Sequence, residues 1–147
     1  VTQFRLNANT NSNTNADITA NYEVVDDASY ETIGSPVTQS SGIFTFPTTG
    51  KYLVLHSWYL VARSSDLSCN VTGYVTQDNS SYDLVSIASQ GTAGNSNGQA
   101  MNFFLVDVTD TSNVKVKFAT SSFTNCEIAG YTDYTASGVM FIRIGDT

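Results

Sequence analysis

An all-β sandwich of two antiparallel sheets is what this sequence predicts, and three observations carry the prediction. No stretch sustains an apolar period of 3.6 residues, which excludes long helices. From Gly42 onward several short runs alternate apolar and polar residues, the two-residue period of a strand with one wet face. Other runs are apolar at both parities, and such strands need cover on both sides.

Taken in order, residues 1–16 read as a polar lead-in. Within it Phe4-Arg5-Leu6 forms a first short strand, and Asn7 to Asn15 is an Asn/Thr/Ser run with nothing to bury. Residues 17–147 form the folded domain. Between Ala16 and Ser41 only Ile18, Val24, Val25, Tyr30, Ile33 and Val37 offer anchors, separated by Asp, Gly and Pro, so loops and short edge strands are expected there. Gly42 to Phe46 sets Phe44 and Phe46 on one face. Leu67 to Val75 sets Leu67, Cys69, Val71 and Val75 against Ser68, Asn70, Thr72 and the phenol of Tyr74. Asn113 to Phe118 turns Val114, Val116 and Phe118 inward and Lys115 and Lys117 outward. The segment Ala88 to Gly98 is a Gly/Ser/Asn loop, a plain connector or a tip loop that meets a ligand.

The doubly apolar runs are Lys51 to Ala62, Met101 to Val108 and Val139 to Ile144. In the first, Tyr52, Val54, Trp58 and Leu60 oppose Leu53, Leu55, Tyr59 and Val61. In the second, Phe104, Val106 and Val108 oppose Phe103 and Leu105. In the third, Met140, Ile142 and Ile144 oppose Val139 and Phe141. A sheet in a two-layer sandwich gives only one face to the core. If these strands share a sheet, its other face must be covered, and with no helix to spare another subunit is the remaining candidate.

Composition limits the partners. The chain is of single-domain size and, at 41% hydrophobic residues, can fill a core. Charged residues are only 13%, about half the usual share, while Asn, Ser and Thr make up 50 of 147 residues. Such a surface hydrogen-bonds through neutral groups, as in exposed fibre and secreted β-proteins. Six scattered basic residues and a net charge of −7 argue against nucleic acid, whose affinity comes from Lys and Arg displacing counterions, and against anionic membrane. No apolar run approaches the ~20 residues of a membrane-spanning helix, so no membrane insertion is expected. A chain that begins at Val1 without a signal peptide is expected to be a processed product, a recombinant piece or the end of something longer.

No constellation of catalytic residues emerges. His56 is the single histidine, which excludes a paired-histidine metal site, and it reads as a structural residue among Tyr52, Val54 and Trp58. Asp26, Asp27, Asp107, Asp110, Asp133 and Asp146 match no dedicated calcium-loop spacing and read as solvated loop acids. Asn70-Val71-Thr72 and Asn79-Ser80-Ser81 fit the glycosylation acceptor pattern, as chance allows in so Asn/Ser/Thr-rich a chain. No catalytic residue, metal site or cofactor is assigned, and the chain is expected not to be an enzyme.

The run Gly42-Ile43-Phe44-Thr45-Phe46-Pro47-Thr48-Thr49-Gly50-Lys51-Tyr52-Leu53-Val54 resembles the "G-x-F-x-x-P-x-x-G-x-Y-x-F" signature of the superfamily of complement globular heads and tumour necrosis factor. Tyr30 resembles the tyrosine upstream of that signature. Tyr134-Thr135-Ala136-Ser137-Gly138-Val139-Met140-Phe141 resembles the family's terminal strand. Phe104, Val106 and Val108, followed by Asp110 and Val114, are similar to its "L-x-L-x-x-G-D-x-V" hairpin, although Thr109 to Asn113 lacks the glycine. The resemblance spans Asn21 to Gly145 and implies a ten-stranded jelly roll, trimeric, with one sheet turned toward a three-fold axis.

On that footing Leu53, Leu55, Phe103 and Leu105 are expected at the subunit interface, with Tyr59, Val139 and Phe141 as additions; a bulge that reversed parity would substitute Phe104 and Val106. The implied topology brings Cys69 and Cys126 near one another, as a disulfide or as two buried thiols. The family also leaves room for calcium near its apex. The expected role is a trimeric, non-catalytic virion appendage, a fibre tip or capsid decoration of the phage-associated kind. It would contact other virion proteins and a host-cell surface component, a glycan or an outer-membrane component. A secreted complement-head-like or cytokine-like recognition domain and a purely structural trimerisation or capsid decoration module are the alternatives; virion surface or extracellular space is the location. Tyr59, Tyr74, Tyr82, Tyr131 and Tyr134 are candidates for stacking on carbohydrate.

Overall fold

A computed structural model describes residues 1–63, 68–91 and 95–147. Every strand pairing is antiparallel, in two sheets. The first, here the β5 sheet, runs in the order β2 (Tyr22–Val24), β1 (Thr2–Leu6), β11 (Gly138–Gly145), β5 (Gly50–Ala62) and β8 (Ser96–Val108). The short β10 (Cys126–Ile128) extends along Leu60 to Ala62 of β5, past the end of β11. The second, the β6 sheet, runs β3 (Thr38–Ser40), β4 (Ile43–Thr45), β9 (Lys115–Ser121), β6 (Ser68–Thr76) and β7 (Tyr82–Gly91). Among the described residues these are eleven strands, one more than the ten that the resemblance implies.

The two inward faces close on one core. Phe44 is its hub: fully buried, it meets Phe4 at 5.2 Å, Tyr22 at 5.0 Å, Phe141 at 5.0 Å and Phe118 at 6.0 Å between ring centroids, and so joins both sheets. Edge-to-face and tilted packing of this kind suits the ring quadrupoles. The turn that delivers Phe44 needs a glycine. Gly42 sits at φ +77, and a Cβ there would overlap the Ile18 carbonyl oxygen.

The first sixteen residues hold the expected short strand and an anchored loop. β1 is an interior strand, flanked by β11 and β2, with Phe4 and Leu6 in the core. The Asn-rich run that follows is tied down by its own amides. Asn9 Oδ1 accepts from the Gly130 N–H (3.1 Å), Asn15 Oδ1 accepts from the Phe123 N–H (2.7 Å), and Asn11 Nδ2 donates to Thr120 Oγ1 (2.9 Å). Asn11, Asn13 and Asn21 take positive φ, which asparagine tolerates better than most residues. Their abundance here serves backbone geometry and cross-linking as well as wetting.

Two other expectations change. Ala88 to Gly98 is not one long loop, because β7 runs to Gly91 and β8 starts at Ser96; residues 92–94, like Leu67, lie outside the described residues. Tyr82 to Gly91, not read as a strand from sequence, is the edge strand β7. A bulge between its Leu84 and Ser86 breaks the alternation and turns both Leu84 and Val85 to the surface.

Candidate interaction surface

Register decides which residues face outward. β5 and β8 pair in register along their whole length, setting Leu53 opposite Leu105, Leu55 opposite Phe103 and Tyr59 opposite Gln99. β11 pairs on the other side of β5, with Met140 opposite Leu55 and Ile142 opposite Leu53. Cross-strand partners share a face, so the β5 sheet carries an outward apolar field. At its β8 edge Met101, Phe103 and Leu105 are 69%, 65% and 66% exposed, while Leu53, Leu55 and Tyr59 are half-buried. The edge strand β7 adds exposed Leu84, Val85 and Ile87.

Val139 and Phe141 do not belong to this field. They pair with the inward His56 and Val54, and Phe141 packs against Phe44, Phe46 and Phe4. Both are core residues, and the outward members of β11 are the opposite set, Met140, Ile142 and Ile144. Phe104 and Val106 are likewise buried.

His56 lies on the core side. The Trp58 indole can only donate, so its Nε1–H is given to His56 Nδ1 (2.8 Å), which places the ring proton on Nε2, 2.8 Å from Ser86 Oγ on β7. Desolvation pushes its pKa down to about 4. The imidazole thus bridges the sheets as a neutral group. Cys69 and Cys126 are both buried in the same core, one from each sheet.

Two of the acids read as solvated have a different role. Arg5, only 2% exposed, donates to Glu23 (2.6 Å), Asp26 (2.6 Å) and Asp27 (2.9 Å) and pins the segment after β2 to β1. Sequence reasoning missed this cage because its acids lie about twenty positions away. Asp110 caps its own turn through the Ser112 N–H (2.7 Å), and Asp146 pairs with Arg143 (2.6 Å). Among the described residues no three His, Cys, Asp or Glu side chains gather as a metal site would require.

The five candidate tyrosines fall into two groups. On the β6 sheet, Lys117 Nζ lies 4.6 Å from the Tyr82 ring centroid and 5.7 Å from that of Tyr74, and pairs with Asp17 at 2.8 Å. Those rings already have a cation. Tyr131 and Tyr134, in the connection from β10 to β11, stack on each other with centroids 4.6 Å apart and planes 20° apart. With Tyr59 they line a cleft of about 300 Å³.

This strand order and pairing define a tumour-necrosis-factor-like jelly roll. No protein-family model matches the chain, and no curated protein sequence matches it. Among solved structures, Eiger TNF from S. frugiperda is similar with a TM-score of 0.73 at 11% identity, over 99% of this chain and 92% of that one. Murine APRIL at pH 8.0 is similar with a TM-score of 0.69 at 8% identity, over 97% of each chain. The same protein at pH 5.0 gives 0.67 at 7% identity, over 97% of this chain and 98% of that one. At such identities the likeness is one of fold.

Proposed function

We propose that this chain is a non-catalytic recognition module that works as a homotrimer, with the outward face of the β5 sheet packed around a three-fold axis. The observation that carries this reading is the row Met101, Phe103 and Leu105, each about two-thirds exposed on a domain whose core is complete without them. Burying one such side chain contributes roughly 1.5–3 kcal/mol, and a closed ring of three subunits buries each three times. Leu53, Leu55 and Tyr59 adjoin this row and belong to the same subunit contact. The reading assigns no cofactor.

The setting we favour is a virion appendage, a fibre tip or head decoration, meeting a host-cell surface through weak contacts repeated around the axis. The low charge and the Asn/Ser/Thr-rich surface support it. The fold likeness to Eiger TNF supports a second setting, a secreted cytokine-like ligand. Light scattering after gel filtration tests the assembly: a mass near three times 15.8 kDa, insensitive to moderate salt, is expected, and a monomer at micromolar concentration overturns it. Labelled trimer offered to intact bacteria and to animal cells separates the settings, with binding to bacteria expected and binding to animal cells alone favouring the ligand.

A further inference from the structure

Both nitrogens of the chain's single histidine are committed inside the core. His56 Nδ1 accepts from the Trp58 indole and Nε2 donates to Ser86 Oγ, each at 2.8 Å. A further proton can enter only on Nδ1, where it would face the Trp58 N–H, donor against donor. Turning the ring does not relieve this, because no group around it takes up the charge. On its own face of β5 stand Val54, Trp58 and Tyr52, whose phenol is bonded at Thr48. β11 presents Val139, and β9 presents Phe118, its ring centroid 5.1 Å away. β8 presents Phe104 at 5.9 Å and Asn102, whose amide is already bonded to the Ile87 carbonyl and the Phe103 N–H. β6 passes as Gly73, where even a Cβ would stand 2.9 Å from the Phe104 ring.

The charged residues of these strands are engaged elsewhere. Lys51 lies opposite Asp107 on the outward face, Lys117 pairs with Asp17, and Arg143 pairs with Asp146. Lys115 Nζ donates to the Thr111 carbonyl, and Asp83 is exposed at the start of β7. Among the described residues an imidazolium here meets no carboxylate, so it must reach water.

The way out runs past β7. Of the strands around the ring, β7 alone sends no large apolar side chain into the core: Ser86 and Ala88 are buried, whereas Leu84, Val85 and Ile87 are exposed. It is an edge strand, and the bulge between Leu84 and Ser86 interrupts its pairing with β6 beside the ring. Across the sandwich it is held by the His56–Ser86 bond and by Asn102 Nδ2, which donates to the Ile87 carbonyl at 2.9 Å.

We propose that His56 is an acid-released latch on β7: protonation expels the Trp58 hydrogen bond, and the charged ring reaches water by lifting the Ser86 segment off the sandwich while the other strands stay paired. Burial lowers the pKa of the closed ring to about 4, against the ordinary 6.5 once it is open. Between those values the open form binds the extra proton, so opening is favoured as pH falls, and the gain levels off below 4.

Hydrogen exchange read by mass spectrometry, corrected for the intrinsic rate at each pH, tests the latch. From pH 7 to pH 4 the protection of the amides from Ser86 to Ala88 should fall about a hundredfold. Those of β1 and β11 should stay at least tenfold better protected at pH 4. In His56→Gln the fall over β7 should be less than threefold. Exchange of β7 in step with β1 and β11 overturns the proposal, as does an equal fall in His56→Gln. The wild-type ring signal, followed by carbon-resolved NMR, decides the matter even if that variant does not fold. A ring that titrates near 6.5 while β7 stays protected also overturns it. The latch lies within one subunit, so the outcome does not depend on the oligomeric mass, which is read at each pH.

Discussion

The two sheets share one core and differ in what they turn away from it. Outward from the β6 sheet lie Lys117, Tyr74 and Asn70, each with partners of its own: Asp17 and two tyrosine rings for the lysine, and Ser89 Oγ at 2.6 Å for the asparagine. Outward from β5 and β8 lie Leu53, Leu55, Phe103 and Leu105, with nothing over the last two. The difference shows how to read alternation. Polar alternate residues mark a face that water already satisfies, whereas apolar alternate residues mark a face still waiting for a neighbour.

The largest effect should come from charging each face in turn. Phe103→Asp or Leu105→Asp should reduce the assembled mass to one third or leave the protein insoluble, because an unpaired carboxylate cannot be buried in apolar packing. Tyr74→Asp on the β6 sheet should leave the mass unchanged. Equal masses for all three variants would erase the distinction between the faces. Next, Phe44→Ala removes the ring common to both sheets and should cost about 3–5 kcal/mol in urea unfolding, with one cooperative transition because neither sheet has a separate core. Two transitions would mean that the sheets unfold independently.

His56 sharpens the comparison through pH, because it bridges the sheets while neutral. Its pKa is about 4 in the folded chain against an ordinary 6.5, so between those values the unfolded chain binds the extra proton. Stability should therefore fall by about 3 kcal/mol as pH drops from 6.5 to 4, and change no further through this group below that. A His56→Gln variant that still folds should show a flatter profile; an identical one would place the titration elsewhere. The smallest effect concerns the edge of the β5 sheet. Arg5→Met should cost about 1–3 kcal/mol in thermal or urea unfolding, and Arg5→Lys should recover little, since one ammonium cannot serve three carboxylates in the guanidinium's fixed geometry.

Much of this organisation was legible in sequence, for reasons that the misses make plain. The doubly apolar runs identified β5, β8 and β11 as strands needing cover on both sides. Which parity of β11 faced outward was not legible, because Val139 and Phe141 are as apolar as Met140 and Ile142; only pairing with His56 and Val54 resolves it. β7 was missed because its bulge puts Leu84 and Val85 side by side, where a period of two expects one of them polar. The tyrosine cleft was half legible. All five tyrosines were visible as candidates, but the stacking of Tyr131 on Tyr134 and the placement of Gln99 beside Tyr59 are products of a loop fold and a register that composition does not encode.

The adjacency of β1 and β11 also has a mechanical side. Thr2 lies opposite Phe141 and Arg5 opposite Gly138, so the polypeptide enters and leaves at the same end of one antiparallel pair. A pull that separates the two ends would part that pair rung by rung, starting beside Thr2, with the hydrogen bonds yielding in succession. A pull between either end and the Tyr131–Tyr134 loop would instead run along the strands and stress many hydrogen bonds at once. The fold should therefore resist tension along its strands far better than the prising apart of its two ends.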